Sequence, residues 1–307
     1  MKLRTLCSIA LLVVSSGAVV LSAIQLVPYI REEAQSASTY RELAAYFSGE
    51  DVELEDVLDS SRSASEVNAA IGENADDVSG NADDLLSSDE NADDMTDGFT
   101  DGEQETDDGT SVGQTDPEAA ARLLALHEKN SDCVAWIRID GTVIDYPVMY
   151  RPQSKNYYLH RDFYGKKSSA GALYISEICD PDTSDNVIIY GHHMNSGKMF
   201  AALNKYKKQS FYEDHKQIVL ETLHGTEIYE IIFALTTPVY TGKDFKYYAF
   251  ANAHNAAEFD SYISSCRARA LYDTGWTAEY GDRLLTLSTC EYSQRIGRML
   301  VVAKKVN

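Results

Sequence analysis

The sequence contains few cysteines, and their spacing is not that of a metal site. Five occur in 307 residues, without a CxxC pair. They are Cys7, Cys133, Cys179, Cys266 and Cys290. We therefore expect no structural zinc, no other metal and no cofactor. Whether any two of these cysteines form a disulfide stays open, because spacing alone does not assign a pair. We expect Cys133, Cys179 and Cys266 to be small buried side chains.

Features that bind nucleotides or nucleic acids are missing from the sequence. No glycine-rich loop of the phosphate-binding kind occurs, and Gly191 belongs to a strand-to-loop turn instead of a dinucleotide fingerprint. No basic stripe with interleaved aromatic residues is present. Nucleic acid is therefore not an expected partner.

Long apolar runs are also rare, and the one that stands out lies at the N-terminus. Leu6 to Ile30 is almost uncharged and long enough to cross a hydrocarbon core of ~30 Å. Lys2 and Arg4 before it favour a cytoplasmic N-terminus, which places the rest of the chain outside the cell. The run continues past the poor cleavage site around Ala23, which favours an uncleaved signal-anchor over a removed signal peptide. We expect a single-pass anchor over residues 1–33.

Acidic residues are abundant, but they are concentrated in one segment. Between Glu50 and Asp116 there are 23 acidic residues and one basic residue, whereas the rest of the chain holds 25 acidic and 26 basic residues. The segment repeats the unit Asn-Ala-Asp-Asp, beginning at Asn74, Asn81 and Asn91. Such a composition cannot bury enough apolar surface to offset the entropy of ordering. Residues 50–116 are predicted to be a disordered spacer that carries the following domain away from the membrane.

A calcium site is the alternative interpretation of these acidic repeats, since carboxylates are calcium ligands. The repeats lack the alternating ligands, glycine and glutamate of an EF-type loop. The spacer is the favoured interpretation.

The remaining sequence, residues 117–307, predicts one domain built mainly of strands. A short amphipathic helix over residues 34–49 precedes the spacer, and a second helix is expected to begin at Pro117 after Asp116. Eight short runs of strand type follow, which indicates an antiparallel barrel or a sandwich. They are Val134–Ile139, Thr142–Val148, Gly171–Ile175, Asn186–Tyr190, Gln217–Leu223, Glu227–Thr236, Arg283–Thr289 and Arg298–Val306. Between the sixth and the seventh, residues 253–271 predict an amphipathic helix.

Three of these runs adjoin residues that could form a thiol catalyst. Cys290 directly follows the seventh run, His192 follows the fourth, and Arg298 opens the eighth. A thiol nucleophile needs a proton carrier, and attack on a carbonyl needs fixed donors for the oxyanion. Arg298 is preferred to Arg295 for that role because the apolar alternation begins directly after Arg298. A papain-like hydrolase is disfavoured, because in that class the cysteine precedes the histidine and begins a helix.

Five segments in a fixed order resemble the sortase transpeptidases, and within that family they resemble class B. They are Ile139–Met149, Tyr158–Gly165, Ile189–Met194, Thr286–Cys290 and Gly297–Arg298 with the apolar run that follows. The similarity covers roughly residues 120 to 307. It implies a closed, mixed eight-stranded sortase-type β-barrel with an N-terminal helix and a helix inserted between strands 6 and 7.

The resemblance also implies an activity and its residues. Cys290 would cleave a C-terminal sorting motif of a secreted protein and form a thioacyl enzyme, with His192 directly after Gly191 as the proton carrier and Arg298 as the third catalytic residue. An amine of the peptidoglycan cross-bridge or of lipid II would then take the acyl group. Tyr190, Ser288 and Glu291 match positions that line the substrate groove.

Two alternatives remain open from the sequence. A lysine of a pilin subunit could replace the cell-wall amine as acceptor, as in some class B sortases. A catalytically inactive adhesion module with an acidic stalk is less favoured, because Cys290, His192 and Arg298 are all present.

Overall fold

The structure, a computed structural model, describes residues 30–50, 54, 116–239, 245–291 and 297–307. The predicted anchor therefore lies outside the described residues apart from its last four positions. The acidic spacer also lies outside them apart from its ends and Leu54. Within the described part of the chain, every helix is too short or too polar to cross a bilayer.

Eight strands form a closed barrel in the order β1-β2-β3-β4-β7-β8-β6-β5, with β5 returning to β1. Their bounds are β1 Cys133–Arg138, β2 Asp145–Met149, β3 Leu173–Ile175, β4 Asn186–Tyr190, β5 Gln217–Thr222, β6 Gly225–Pro238, β7 Leu284–Glu291 and β8 Gly297–Lys305. The pairs β2–β3 and β4–β7 are parallel and the others antiparallel, so the barrel is mixed. The predicted eight-stranded barrel is confirmed, and each strand overlaps the run predicted for it.

Strand β8 shows why these segments have continuous apolar runs. Met299 to Ala303 are all buried, without the alternation of a half-exposed strand. One face points into the barrel, and the 3₁₀ helix Phe200–Lys207 packs against β7 and β8. A strand that is covered on both faces needs apolar residues at successive positions.

The helices lie around the barrel. Residues 30–47 are helical and are called α1, and α2 Pro117–Lys129, α3 Gln209–Asp214 and α4 Ala256–Arg267 follow. Asp116 caps α2 by accepting from the amide of Glu118, with proline at the first helical position. Helix α4 lies between β6 and β7 within the predicted range, which confirms the inserted helix.

Helix α1 packs directly on the barrel. Leu43 is fully buried, and the ring of Phe47 stacks on Trp136 of β1 at 4.2 Å. The hydroxyl of Tyr40 donates to the carbonyl of Gly171 at 2.6 Å, and the Ser36 and Ser168 hydroxyls lie 2.7 Å apart. Helix α1 is therefore part of the same folded body as the strands.

The two helices that flank the acidic segment pack on the same folded body. Helix α1 precedes that segment and α2 follows it, and both pack on the barrel. Gly49, just after α1, lies against the guanidinium of Arg122 in α2. The described residues on either side of the acidic segment, Glu50 and Asp116, therefore belong to the same folded body, and the spacer role of the residues between them stays a prediction.

Candidate active site

Three strand ends meet at one end of the barrel. Strands β4 and β7 run parallel, and β7 and β8 run antiparallel, so the ends of β4 and β7 lie beside the start of β8. Cys290 is directly opposite Arg298 in the β7–β8 register. Residues directly opposed in a sheet project to the same face, so the thiol and the guanidinium share one side. Together with His192 they line a cavity of about 770 Å³.

Cys290 is the half-exposed thiol of the site. The other described cysteines, Cys133, Cys179 and Cys266, are buried, as predicted. Burial raises the pKa of the Cys179 thiol to about 11 and that of Cys266 to about 12. These buried thiols stay protonated at neutral pH, which leaves Cys290 as the accessible nucleophile among the described residues.

Thr289 connects the strand that carries Cys290 to the strand that precedes His192. Its hydroxyl donates to the carbonyl of Gly191 at 2.8 Å. Gly191 itself is tightly enclosed, since a Cβ there would come within 2.6 Å of the Phe200 ring and would also meet Leu173. The close approach explains why glycine precedes the histidine, because a larger residue would push the chain out of the barrel wall.

His192 is held by a backbone carbonyl. Its Nε2 lies 2.7 Å from the carbonyl oxygen of Leu159. A carbonyl only accepts, so Nε2 carries the hydrogen, and Nδ1 of the neutral ring is left to accept a proton. Burial lowers the pKa of His192 below its usual value, and the charges of His160 and Arg298 act in the same direction. The imidazole is therefore predominantly neutral at pH 7.

His160 is a site residue that the sequence did not predict. Its ring stacks on that of His192, with centroids 5.5 Å apart and an angle of 27° between the planes. It ends the 3₁₀ helix Tyr157–His160, which also supplies the Leu159 carbonyl. It lies within one of the segments that resemble sortases, but nothing in that segment indicates that the histidine turns towards His192.

His193, the neighbouring histidine, contacts the backbone of the strand end instead. Its Nδ1 lies 3.3 Å from the backbone carbonyl oxygen of Cys290 and 2.5 Å from the side-chain nitrogen Nδ2 of Asn204. These contacts hold the loop after β4 against the end of β7.

The predicted substrate-binding residues are placed as follows. Tyr190 and Ser288 are directly opposed on β4 and β7, and both line the cavity. Ser288 is buried, with its hydroxyl 2.8 Å from that of Tyr247. Glu291 ends β7, but its side chain lies outside the described residues, as does the whole of Arg295.

Further lining residues come from loops and from α4. They include Asn156, Leu159, Tyr247, Tyr248, His254 and Glu258. Their positions depend on how the connecting segments fold, which apolar periodicity does not indicate. Across the described residues, no group of three or more His, Cys, Asp or Glu side chains is arranged to hold a metal ion.

A mixed eight-stranded barrel with cysteine, histidine and arginine at one rim defines the sortase class of cysteine transpeptidases. The sortase domain family matches residues 137–306, more than half of the chain, and the protein belongs to this family.

Its relatives place it in class B. Sortase B of Staphylococcus aureus is 32% identical over 185 residues, which cover 59% of this chain and 72% of the relative. Sortase B of Listeria monocytogenes is 34% identical over 197 residues, covering 62% and 76%. The structure of the Staphylococcus aureus sortase B-substrate complex superposes with a TM-score of 0.56 at 29% identity, covering 61% of this chain and 86% of that one.

Proposed function

We propose that the protein is a membrane-anchored class B sortase that joins secreted proteins to an amine of the cell wall. The observation that carries this proposal is the direct opposition of Cys290 and Arg298 across β7 and β8, with His192 lining the same cavity. The donor is a C-terminal sorting motif of a secreted protein, and the acceptor is an amine of the peptidoglycan cross-bridge or of lipid II.

The first half-reaction is acyl transfer to the enzyme. The Cys290 thiolate attacks the carbonyl carbon of the scissile peptide bond, and a tetrahedral oxyanion forms. The guanidinium of Arg298 donates to this oxyanion and stays protonated throughout. Nδ1 of His192, which takes the thiol proton as the Cys290 thiolate forms, gives this proton to the leaving amide nitrogen; the C–N bond breaks, and a thioester remains on Cys290.

The second half-reaction releases the product to an amine. The acceptor nitrogen attacks the thioester carbonyl while Nδ1 of His192 takes its proton. The C–S bond breaks, a new amide forms, and the Cys290 thiolate returns. The lowered pKa of His192 supports this step, because a predominantly neutral imidazole is ready to act as base.

The cavity supports binding of an extended peptide. Tyr190 and Ser288 line it from the strands, and Tyr247 and Glu258 line it from the β6–β7 connection. Glu291, next to the nucleophile, is proposed to contact the donor or acceptor as well. The lining is both polar and aromatic, which suits a short motif with polar side chains.

Anchoring is proposed from the N-terminal sequence. Residues 1–33 form the single-pass anchor, with the barrel on the extracellular side. The apolar run ends where α1 begins. The catalytic domain is therefore proposed to lie close to the extracellular surface of the membrane, where a lipid-linked acceptor is within reach.

The test is transfer by the full-length chain. The protein is incubated with a library of pentapeptides and with oligoglycine, peptidoglycan peptides or a lysine-bearing peptide, and mass spectrometry detects the thioester and the amide product. A thioester on Cys290 that passes to a cell-wall amine is expected, and Cys290→Ala forms neither species. Transfer to the lysine peptide alone would identify a pilin-polymerising enzyme instead, and hydrolysis without transfer to any amine would contradict a transpeptidase.

A further inference from the structure

The loop that carries His192 is a closed hairpin. We call residues 192–200 the histidine loop. Its ends are joined because the amide of Phe200 donates to the carbonyl of His192 at 2.9 Å, and His193 and Met199 form an antiparallel bridge. The backbone positions of His192 and His193, which follow β4, therefore depend on the backbone conformation of Met199.

Met199 has a backbone conformation that a residue with a side chain rarely adopts. Its φ is 54° and its ψ is −130°, and its side chain is 1% exposed. Only two described residues other than glycine have a positive φ, and the other is Asn156. Such a conformation persists only where the surrounding structure imposes it.

One contact that imposes it comes from β2. The buried hydroxyl of Tyr146 accepts a hydrogen bond from the amide of Met199 at 3.1 Å. Because the partner is the backbone amide, this bond fixes the loop itself and not one of its side chains.

Tyr146 is in turn supported by α1. The Tyr40 ring meets the Tyr146 ring edge to face, with centroids 5.6 Å apart and an angle of 86°. Tyr40 is fixed at its far end by the bond from its hydroxyl to the Gly171 carbonyl. A continuous set of contacts therefore runs from α1 through Tyr40 and Tyr146 to Met199 and the histidine loop.

We infer that Tyr146, supported by Tyr40 of α1, is a positioning residue for His192. It holds Met199 in its strained conformation, and this keeps the imidazole aligned with Cys290 and the bound carbonyl. Helix α1 thereby affects the rate of acyl transfer although it lines no part of the catalytic cavity. The inference rests on the proposed role of His192 as proton carrier.

The first variant is Tyr146→Phe in the full-length chain, which removes one oxygen and keeps the ring. We expect kcat to fall about tenfold with KM changed less than about twofold, because misalignment of a catalytic group slows chemistry more than binding. Tyr40→Leu removes the supporting ring and should reduce kcat in the same way, to a smaller extent.

The matched control is Tyr229→Phe. Tyr229 is also buried, and its hydroxyl donates to Glu227 at 2.7 Å. It pairs with Lys305, at the end of the barrel opposite Cys290. Tyr229→Phe should keep the kcat of the parent protein. If its kcat falls as much as that of Tyr146→Phe, the inference is overturned, because both losses would then reflect a general loss of stability.

A rescue experiment separates positioning from packing. Glycine adopts a positive φ without a steric penalty. In a Met199→Gly background, the conformation at position 199 therefore depends less on the hydrogen bond to the Tyr146 hydroxyl. The tenfold effect of Tyr146→Phe should shrink to about twofold in that background. An effect of unchanged size would overturn the inference.

His192→Ala in the same assay separates a failure of the positioning role of Tyr146 from a failure of the catalytic role of His192. If His192→Ala is inactive while Tyr146→Phe turns over like the parent protein, the positioning inference fails alone. If His192→Ala retains full turnover, the proposed function of His192 fails, whatever Tyr146→Phe shows.

Discussion

Cys290 and Arg298 stand directly opposite each other on β7 and β8, at the rim where the two strands begin their connection. The opposition fixes the guanidinium on the same face as the thiol, independently of the segment that joins the strands. Arg298 makes a hydrogen bond of 3.0 Å to its neighbour's carbonyl, at Gly297. This bond holds the guanidinium at the start of β8, beside the cavity that Cys290 also lines.

Arg298→Ala should lose catalysis and keep its fold. We expect kcat/KM to fall by about 10²–10³, the usual effect of removing one oxyanion donor. Arg298→Lys should recover only part of the loss, because an ammonium lacks the planar fork of donors. The control is Arg138→Ala, which removes an exposed arginine at the end of β1 that forms an ion pair with Asp140. Steady-state kinetics with a thermal melt checks this, and full activity of Arg298→Ala would refute the oxyanion role.

The thiols should differ sharply in reactivity. At pH 8 a group with the pKa of Cys179, about 11, is thiolate in only about one molecule in a thousand. Iodoacetamide should therefore modify Cys290 in the native protein and leave Cys133, Cys179 and Cys266 unmodified. Peptide mass mapping reads this directly, with urea-unfolded protein as the positive control. Modification of Cys266 at the rate of Cys290 would show that the α4 region opens readily.

His160 should influence the titration of His192. A protonated His160 opposes protonation of the stacked ring, so His160→Gln should raise the pKa of His192. The acid limb of the kcat profile should then move to higher pH, because the neutral imidazole is lost earlier on acidification. Nuclear magnetic resonance of the His192 ring and the pH profile test this. His224→Gln, an exposed histidine beside Asp182, is the control, and an unchanged His192 titration would contradict the prediction.

Helix α1 should contribute measurably to folding stability. Phe47→Ala removes the ring that stacks on Trp136, and the free energy of unfolding should fall by about 3 kcal/mol. Arg41→Ala, at an exposed position of the same helix, should change it by less than about 0.5 kcal/mol. Urea denaturation followed by tryptophan fluorescence measures both. Equal stability of Phe47→Ala and the parent protein would mean that α1 detaches in solution.

The strands and the three rim residues could be predicted because both depend on local patterns. Apolar runs such as Asn186–Tyr190 and Leu284–Cys290 are covered on both faces, so their composition marks them clearly. Cys290, His192 and Arg298 each adjoin such a run, and their mutual placement follows once the strands are paired. The roles of these residues remain predictions.

The parts that could not be predicted depend on contacts between distant segments. His160 reaches His192 because the 3₁₀ helix Tyr157–His160 folds over the end of β4, and no periodicity indicates that. The surface on which α1 packs could not be predicted for a related reason. The helical spacing of Tyr40 and Phe47 predicts an amphipathic helix, but the acidic segment separates that helix from the barrel in sequence, and the spacing does not indicate which strands the apolar face covers.

The position of Gly49 against Arg122 has a mechanical consequence. The described residues on either side of the acidic segment pack on one folded body, so a pull applied between residue 30 and the barrel is resisted by the α1 contacts. A force applied at residue 30 is therefore transmitted to β1 through the stacked rings of Phe47 and Trp136.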